Sequence, residues 1–202
     1  MGAEDANSLY LCGTAATDAV LDHELFDQEF YQLMLSVERL SGVCDILPVT
    51  LPGRIIEALP VAGERLHIHG QIRSYNRTSQ HGGRLMLTAF ARSAYPAGED
   101  DGDFNEVAVS GYLCKQAQVR TTPFLREIAD MLLAVNRPYN KSDYLPLIAW
   151  GRNAHLASEL PVGSHIYVTG RLQSREYQKS LEDGQVIKRT AYEVSVGTLQ
   201  LI

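Results

Sequence analysis

The stretch DYLPLIAWGRNAHLASELPVGSHIYVTGRL, residues 143–172, decides the fold. An apolar run ends at the only tryptophan of the chain, Trp150, and Gly151-Arg152 follow at once. A short segment of helical composition comes next, then a Pro-Val-Gly turn, then an alternating strand that closes on a second Gly-Arg pair, Gly170-Arg171. The order is strand, Gly-basic, helix, turn, strand, Gly-basic, and the chain holds a second, fainter copy of it.

Displacing the sequence by 98 positions brings Asn7 onto Asn105, Gly13 onto Gly111, Arg39 onto Arg137, Asp45 onto Asp143, Pro48 onto Pro146 and Gly53-Arg54 onto Gly151-Arg152. After a two-residue shift Gly63, Gly70 and Ser74 meet Gly163, Gly170 and Ser174, and after two more Thr88-Ala89-Phe90 meets Thr190-Ala191-Tyr192. Matches that stay in order and favour Gly, Pro and Arg mark an internal repeat. Two units of ordinary small-domain size follow: residues 1–95 and 105–202, joined by a Gly- and acid-rich linker at 96–104.

Each copy reads mainly as strands. NSLYLCG and NEVAVSGYL alternate with period 2, as do ERLHIHGQIRSYN and SHIYVTGRLQSREYQ, whose internal glycines predict a bulge or sharp bend. RLMLTAFARSAY and QVIKRTAYEVSVGTLQLI close the copies, while REIADMLLAVN suits helix or strand. The clear helix is GRNAHLASEL, with a weaker equivalent at GRIIEALP. Five strands per copy, with one short helix between the third and fourth, predict an all-β chain of two tandem five-stranded OB-fold barrels, each with its own sheet. Pro48 and Pro146 fall inside the third strands, awkward positions for central strands.

The chain of 202 residues is 45% hydrophobic and 21% charged, values of a globular protein. No apolar run reaches the length of a membrane span, and the acidic start, MGAEDANS, does not read as a secretory signal. Cys12, Cys44 and Cys114 are odd in number, widely spaced and without a CxxC, which suits reduced thiols in a cytoplasmic protein. Residues 1–100 carry seven basic against thirteen acidic side chains; residues 101–202 carry eleven of each and all four lysines. A polyanion partner would therefore meet the second half.

The second copy resembles the bacterial single-stranded DNA-binding proteins, with the primosomal replication proteins as close relatives. The resemblance lies in NEVAVSGYL, the R-x-T-P turn at Arg120–Pro123, the aromatic-Gly-basic junction at Trp150–Arg152 and the G-x-x-I-x-V-x-G-x-L strand at 163–172. It implies an OB-fold that binds single-stranded DNA without strong sequence preference. It also implies assembly as four OB units, so that this tandem chain would pair as a homodimer. The exposed edges of NSLYLCG and NEVAVSGYL supply a further motive for pairing. No cofactor, catalytic role or membrane partner is expected. The chain departs from the family in ending at GTLQLI rather than in an acidic-hydrophobic tip, and in carrying tyrosines where the family often has tryptophans.

Binding a single strand needs flat rings for bases and cations for phosphates. Along 144–150 the even positions place Tyr144, Pro146, Ile148 and Trp150 on one face; the odd positions form a core face. Trp150 beside Arg152, the trio Arg137, Tyr139 and Lys141, and the series Arg171, Arg175, Tyr177 and Lys179 are the candidate contacts. In the first copy Ser41, Val43, Ile46 and Pro52 replace Tyr139, Lys141, Tyr144 and Trp150, while Arg39, Arg54, Arg73 and Tyr75 remain. That copy keeps the fold and loses much of the binding surface. Two other functions compete with DNA binding: a protein-interaction subunit of a replication or mobile-element complex, which the acidity favours, and a metal enzyme. His67 and His69 share a strand face but have no carboxylate or thiol partner at metal-ligand spacing, so a structural role fits them better.

Overall fold

The computed structural model describes residues 6–79, 82–122, 124–180 and 186–202. The Pro123 end of the R-x-T-P turn lies outside them. The chain is mostly β: twelve strands and one α-helix among the described residues. The first half holds β1 (Asn7–Ala15), β2 (Val20–Leu25), β3 (Gln28–Glu38), β4 (Cys44–Pro52), β5 (Arg65–Ser79) and β6 (Gly82–Pro96). The second holds β7 (Phe104–Leu113), β8 (Gln118–Thr121), β9 (Glu127–Arg137), β10 (Lys141–Trp150), α1 (Arg152–Glu159), β11 (His165–Ser180) and β12 (Val186–Leu201). REIADMLLAVN is thus a strand. GRIIEALP is not a helix: only a 3-10 turn, Gly53–Ile55, stands there. Each half has six strands rather than five, because β2 and β8 add themselves along β3 and β9.

Pairings run β1–β3–β4–β6–β5–β1 in the first half and β7–β9–β10–β12–β11–β7 in the second, so each set of five strands closes into a ring. The core lies inside the rings: Leu11, Leu35, Leu47 and Ile68 are fully buried in the first, as are Val109, Leu133, Leu145 and Val168 in the second. The expected bulges exist, as register shifts at His69/Gly70 and Thr169/Gly170. A Cβ on Gly70 or Gly170 would run into the carbonyl oxygen of Phe90 or Ser195, so no larger residue fits where the strand bends. Just past each bend an Asn side chain continues the ladder. Asn7 Nδ2 donates to Ile72 O at 3.0 Å and its Oδ1 accepts from Ile72 N at 2.9 Å, and Asn105 does the same with Leu172.

Register corrects the repeat at its end. Ile72 faces Ala89 and Leu172 faces Val194, so Thr88–Phe90 is the counterpart of Glu193–Ser195, not of Thr190–Tyr192. The second hairpin is the longer by five residues. The prolines are tolerated because β4 and β10 meet their parallel partners only at Val49–Thr50 and Leu147–Ile148.

The halves also share one sheet, against the expectation of separate sheets. β1 and β7 pair antiparallel from Asn7↔Val109 to Cys12↔Phe104, making a single twelve-stranded sheet. The two edges expected to be open therefore cover each other within the chain. A second, reciprocal contact reinforces this. Buried Asp45 accepts from Ser174 N at 2.7 Å, Arg39 Nε at 2.7 Å and Arg39 Nη2 at 2.6 Å. Buried Asp143 accepts from Ser74 N at 2.7 Å, Arg73 Nη1 at 2.9 Å and Arg137 Nη1 at 3.4 Å. Ser174 Oγ accepts from Ile46 N and Ser74 Oγ from Tyr144 N. Each half's long hairpin thus reaches the other half's fourth strand. The linker is tied down as well: Asp103 pairs with Arg65 at 2.8 Å, and the bond from His67 holds the Asp101 carboxyl below its usual range.

A buried carboxylate is stable only while its donors are present, and removing it strands them. Asp143→Ala is expected to cost about 3 kcal/mol in urea unfolding, with Ser74→Ala costing less. An Asp143→Ala protein as stable as the parent would show that the seam adds nothing.

Candidate nucleic-acid interface

Cross-strand partners share a sheet face, so the register builds the candidate surface directly. On β10 it carries Tyr144, Pro146, Ile148 and Trp150, opposite Ala134, Leu132, Asp130 and Ile128 of β9. Arg120 of β8 lies opposite Ile128. On the other side of β10, Ile148 meets Ser195 of β12. The β12 face continues through Glu193, Ala191 and Arg189, which oppose Gln173, Arg175 and Tyr177 of β11. The sorting of 144–150 into faces holds: Leu145, Leu147 and Ala149 are buried, while Tyr144 is 47% and Trp150 38% exposed. Ile148, on the outer face, is buried as well.

Tyr139 sits at the tip of the β9–β10 turn, 94% exposed, with φ of 65°. A bulky residue rarely takes the left-handed region, and such strain concentrates at functional positions. Asn140 shares that geometry at φ 53°, which lets the turn be tight. Lys141 opens β10 and Arg152 opens α1; both are exposed. Arg175 lies 5.8 Å from the Tyr177 ring centroid, a cation–π distance, and 3.4 Å from Glu193. Arg171 is half-buried and bonds Gln173 at 3.3 Å, while its Nε is buried without a partner among the described residues. Burial, with Arg39 nearby, draws the Arg171 pKa below its ordinary value. Lys179 lies in β11 opposite Ile187, and its side chain is outside the described residues.

The structure divides the remaining candidates. Arg39 and Arg73 are held by Asp45 and Asp143, and the bond to Asp45 raises the Arg39 pKa. Arg137 leans on Asp143 more loosely. Arg54 stands exposed on the 3-10 turn, and Tyr75 is exposed on β5 next to Ser74, which bonds Tyr144 N. The sequence reading missed two cations on this face. Arg189 lies opposite Tyr177, a placement visible in the alternation of VIKRTAYEV. Arg120 is tied to Asp130 at 2.5 Å. The equivalent face of the first half carries Phe30, Met34, Pro48, Met86 and Phe90, with Arg73, Arg77 and Arg84 on the same face of its long hairpin. His67 and His69 belong to another surface: His67 bonds Tyr10 at 2.8 Å and Asp101 at 2.9 Å, and His69 bonds Tyr95 at 3.2 Å.

The second half matches a known family. Residues 104–202 match the Single-strand binding protein family. Single-stranded DNA-binding protein 3 of Streptococcus agalactiae is 31% identical over 105 residues, 48% of this chain and 73% of that protein. The single-stranded DNA-binding protein of Streptococcus mutans is 30% identical over 105 residues, 48% of this chain and 62% of that one. The chain belongs to the single-strand binding protein family. It spans between about half and three quarters of the length of the curated relatives it matches. Among solved structures, a deletion mutant of the single-stranded DNA binding protein from Thermus aquaticus matches all of this chain and 96% of its own at TM-score 0.80. Its wild-type form matches 98% of this chain and 93% of its own at TM-score 0.75. Both are 22% identical, so the likeness is one of fold; it spans both halves.

Proposed function

We propose that the chain binds single-stranded DNA without strong sequence preference, in replication, repair or recombination, as a binding protein and not a catalyst. Each ring of strands is taken as one OB-fold barrel, with domains at 1–95 and 105–202 and a linker at 96–104. The observation that carries the function is the aromatic and basic face of the second half: Tyr144, Trp150 and Tyr177 share it with Arg175 and Arg189. Tyr139, Lys141 and Arg152 flank it in exposed positions. Rings of this kind each contribute roughly 1–3 kcal/mol by stacking on a base, and the cations meet phosphates. Arg171 and Lys179 extend the path along β11. Arg137, Arg39 and Arg73 serve the seam first, so their substitution acts on stability before binding. Tyr75 and Arg54 are the first half's contributions, and Tyr75 stands closer to the face through Ser74 and Tyr144. Localisation in the cytoplasm fits three cysteines that stand free in the structure.

The chain further pairs as a homodimer presenting four barrels, the arrangement to which the family resemblance points. The open-edge motive is gone, since β1 and β7 cover each other. In its place stands the outer face of the continuous sheet β6-β5-β1-β7-β11-β12. There Tyr10 stacks on His69 at 4.2 Å and packs at a tilt against Phe104 at 4.9 Å, with Tyr95 beside them. Phe104 and Tyr95 remain well exposed, and a two-fold partner would cover them.

Three outcomes are expected. Oligo-dT quenches Trp150 emission, and moderate salt partly reverses the effect. Trp150→Ala weakens binding by roughly 1–3 kcal/mol, and Arg54→Ala weakens it less. Unchanged emission at saturating DNA, or equal losses from the two variants, would place the strand on another surface. Light scattering at micromolar concentration is expected to report a dimer; a monomer would remove the four-barrel assembly.

A further inference from the structure

The two halves differ most where α1 stands. In the second half α1 covers one end of the ring: Ala154 and Ala157 are buried, Leu160 follows them into the core, and Asn153 Nδ2 donates to Gly197 O at 3.0 Å. Leu199 of β12 is buried at the same end. In the first half the stretch between Gly53 and Gly63 is two residues shorter than that between Gly151 and Gly163. The deletion leaves room for one 3-10 turn and no α-helix. By strand register the counterpart of Leu199 is Ala94: His69 faces Ser93 and Ile68 faces Ala94, while Thr169 faces Thr198 and Val168 faces Leu199. A missing helix and a truncated side chain thus coincide, and a cleft of about 600 Å³ stands at this end of the first ring. Ile55, Ile56, Pro60, Leu66, Ala94 and Pro96 line it, with Glu57 and Glu64 among its polar groups. Arg65, its one cation, is already paired with Asp103 at 2.8 Å.

We propose that this cleft binds a short amphipathic helix with a basic polar face, presented by a partner protein. The second half shows the shape that fills such a space: two turns of helix laying small and branched apolar side chains on the ring end. The charge follows from Glu57 and Glu64 and from the acidity of the whole first half, with seven basic against thirteen acidic side chains in residues 1–100. An acidic segment would be repelled there, and a basic one drawn in. Helix-in-groove recognition of this kind rests on a few apolar anchors at helical spacing. The cleft lies outside the aromatic and basic face, so the proposal stands apart from DNA binding.

The test uses the full chain without DNA and a fluorescein-labelled peptide of residues 151–162, GRNAHLASELPV, carrying Ser158→Lys and Glu159→Lys. Anisotropy is expected to show saturable binding, weaker for the unsubstituted peptide. Ala94→Leu restores the side chain that Leu199 supplies in the other half and is expected to weaken binding roughly tenfold or more. Ala58→Arg, an exposed change at the cleft, is expected to do the same without touching the core. Absence of saturable binding, equal affinity for parent and both variants, or tighter binding of an acidic peptide of the same length would overturn the proposal. An altered oligomeric mass for Ala94→Leu would instead assign the cleft to contact between copies of the chain and overturn it too.

Discussion

Asp45 and Asp143 are fully enclosed carboxylates, each bound by a backbone N–H from the opposite half and by arginine. Neither charge could be buried without those donors; Arg39 and Arg137 come from the same half, while Ser174 N, Ser74 N and Arg73 arrive only with the opposite half's long hairpin. Together with the β1–β7 ladder, this pair of contacts turns two small rings into one body with a fixed angle between them. The surface that each hairpin presents beyond its serine is therefore set by the other half.

A division of labour follows. The second half keeps Tyr144 and Trp150 on its outer face, and the first half carries methionine, phenylalanine and proline along β3 and β4, with its arginines confined to the long hairpin. Net charge runs the same way, with the acidic excess confined to residues 1–100. Duplication followed by divergence of one copy accounts for both, since the seam and core need only the positions that still match. Arg39, Arg137, Asp45, Asp143, Ser74 and Ser174 recur in both copies for the seam's sake.

Much of this is legible in the chain itself. Period-2 alternation marks the long strands, the internal glycines mark the bulges, and GRNAHLASEL marks the helix. Other features leave no such trace. Every residue of β2 and β8 is exposed, so no burial pattern announces these strands. The ladder between β1 and β7 is made by backbone groups, which any side-chain pattern permits. The Thr-Ala-aromatic match at the end of the repeat misleads because the hairpins differ in length, and only the register reveals it. At the candidate site, alternation found Tyr144 and Trp150. It could not show that Arg39 is held by Asp45 and Arg73 by Asp143 of the other half, nor that Tyr139 takes a left-handed backbone at its turn.

The central claim is that one fixed body presents a single strand to the second half's face. Photo-crosslinking of oligo-dT carrying 5-iododeoxyuridine, read by mass spectrometry of the crosslinked peptides, addresses it most directly. Crosslinks should concentrate on the peptides holding Tyr139, Tyr144, Trp150 and Tyr177, with Tyr75 as the main site in the first half. Crosslinks gathered instead on Phe30, Met34 and Phe90 would contradict the account.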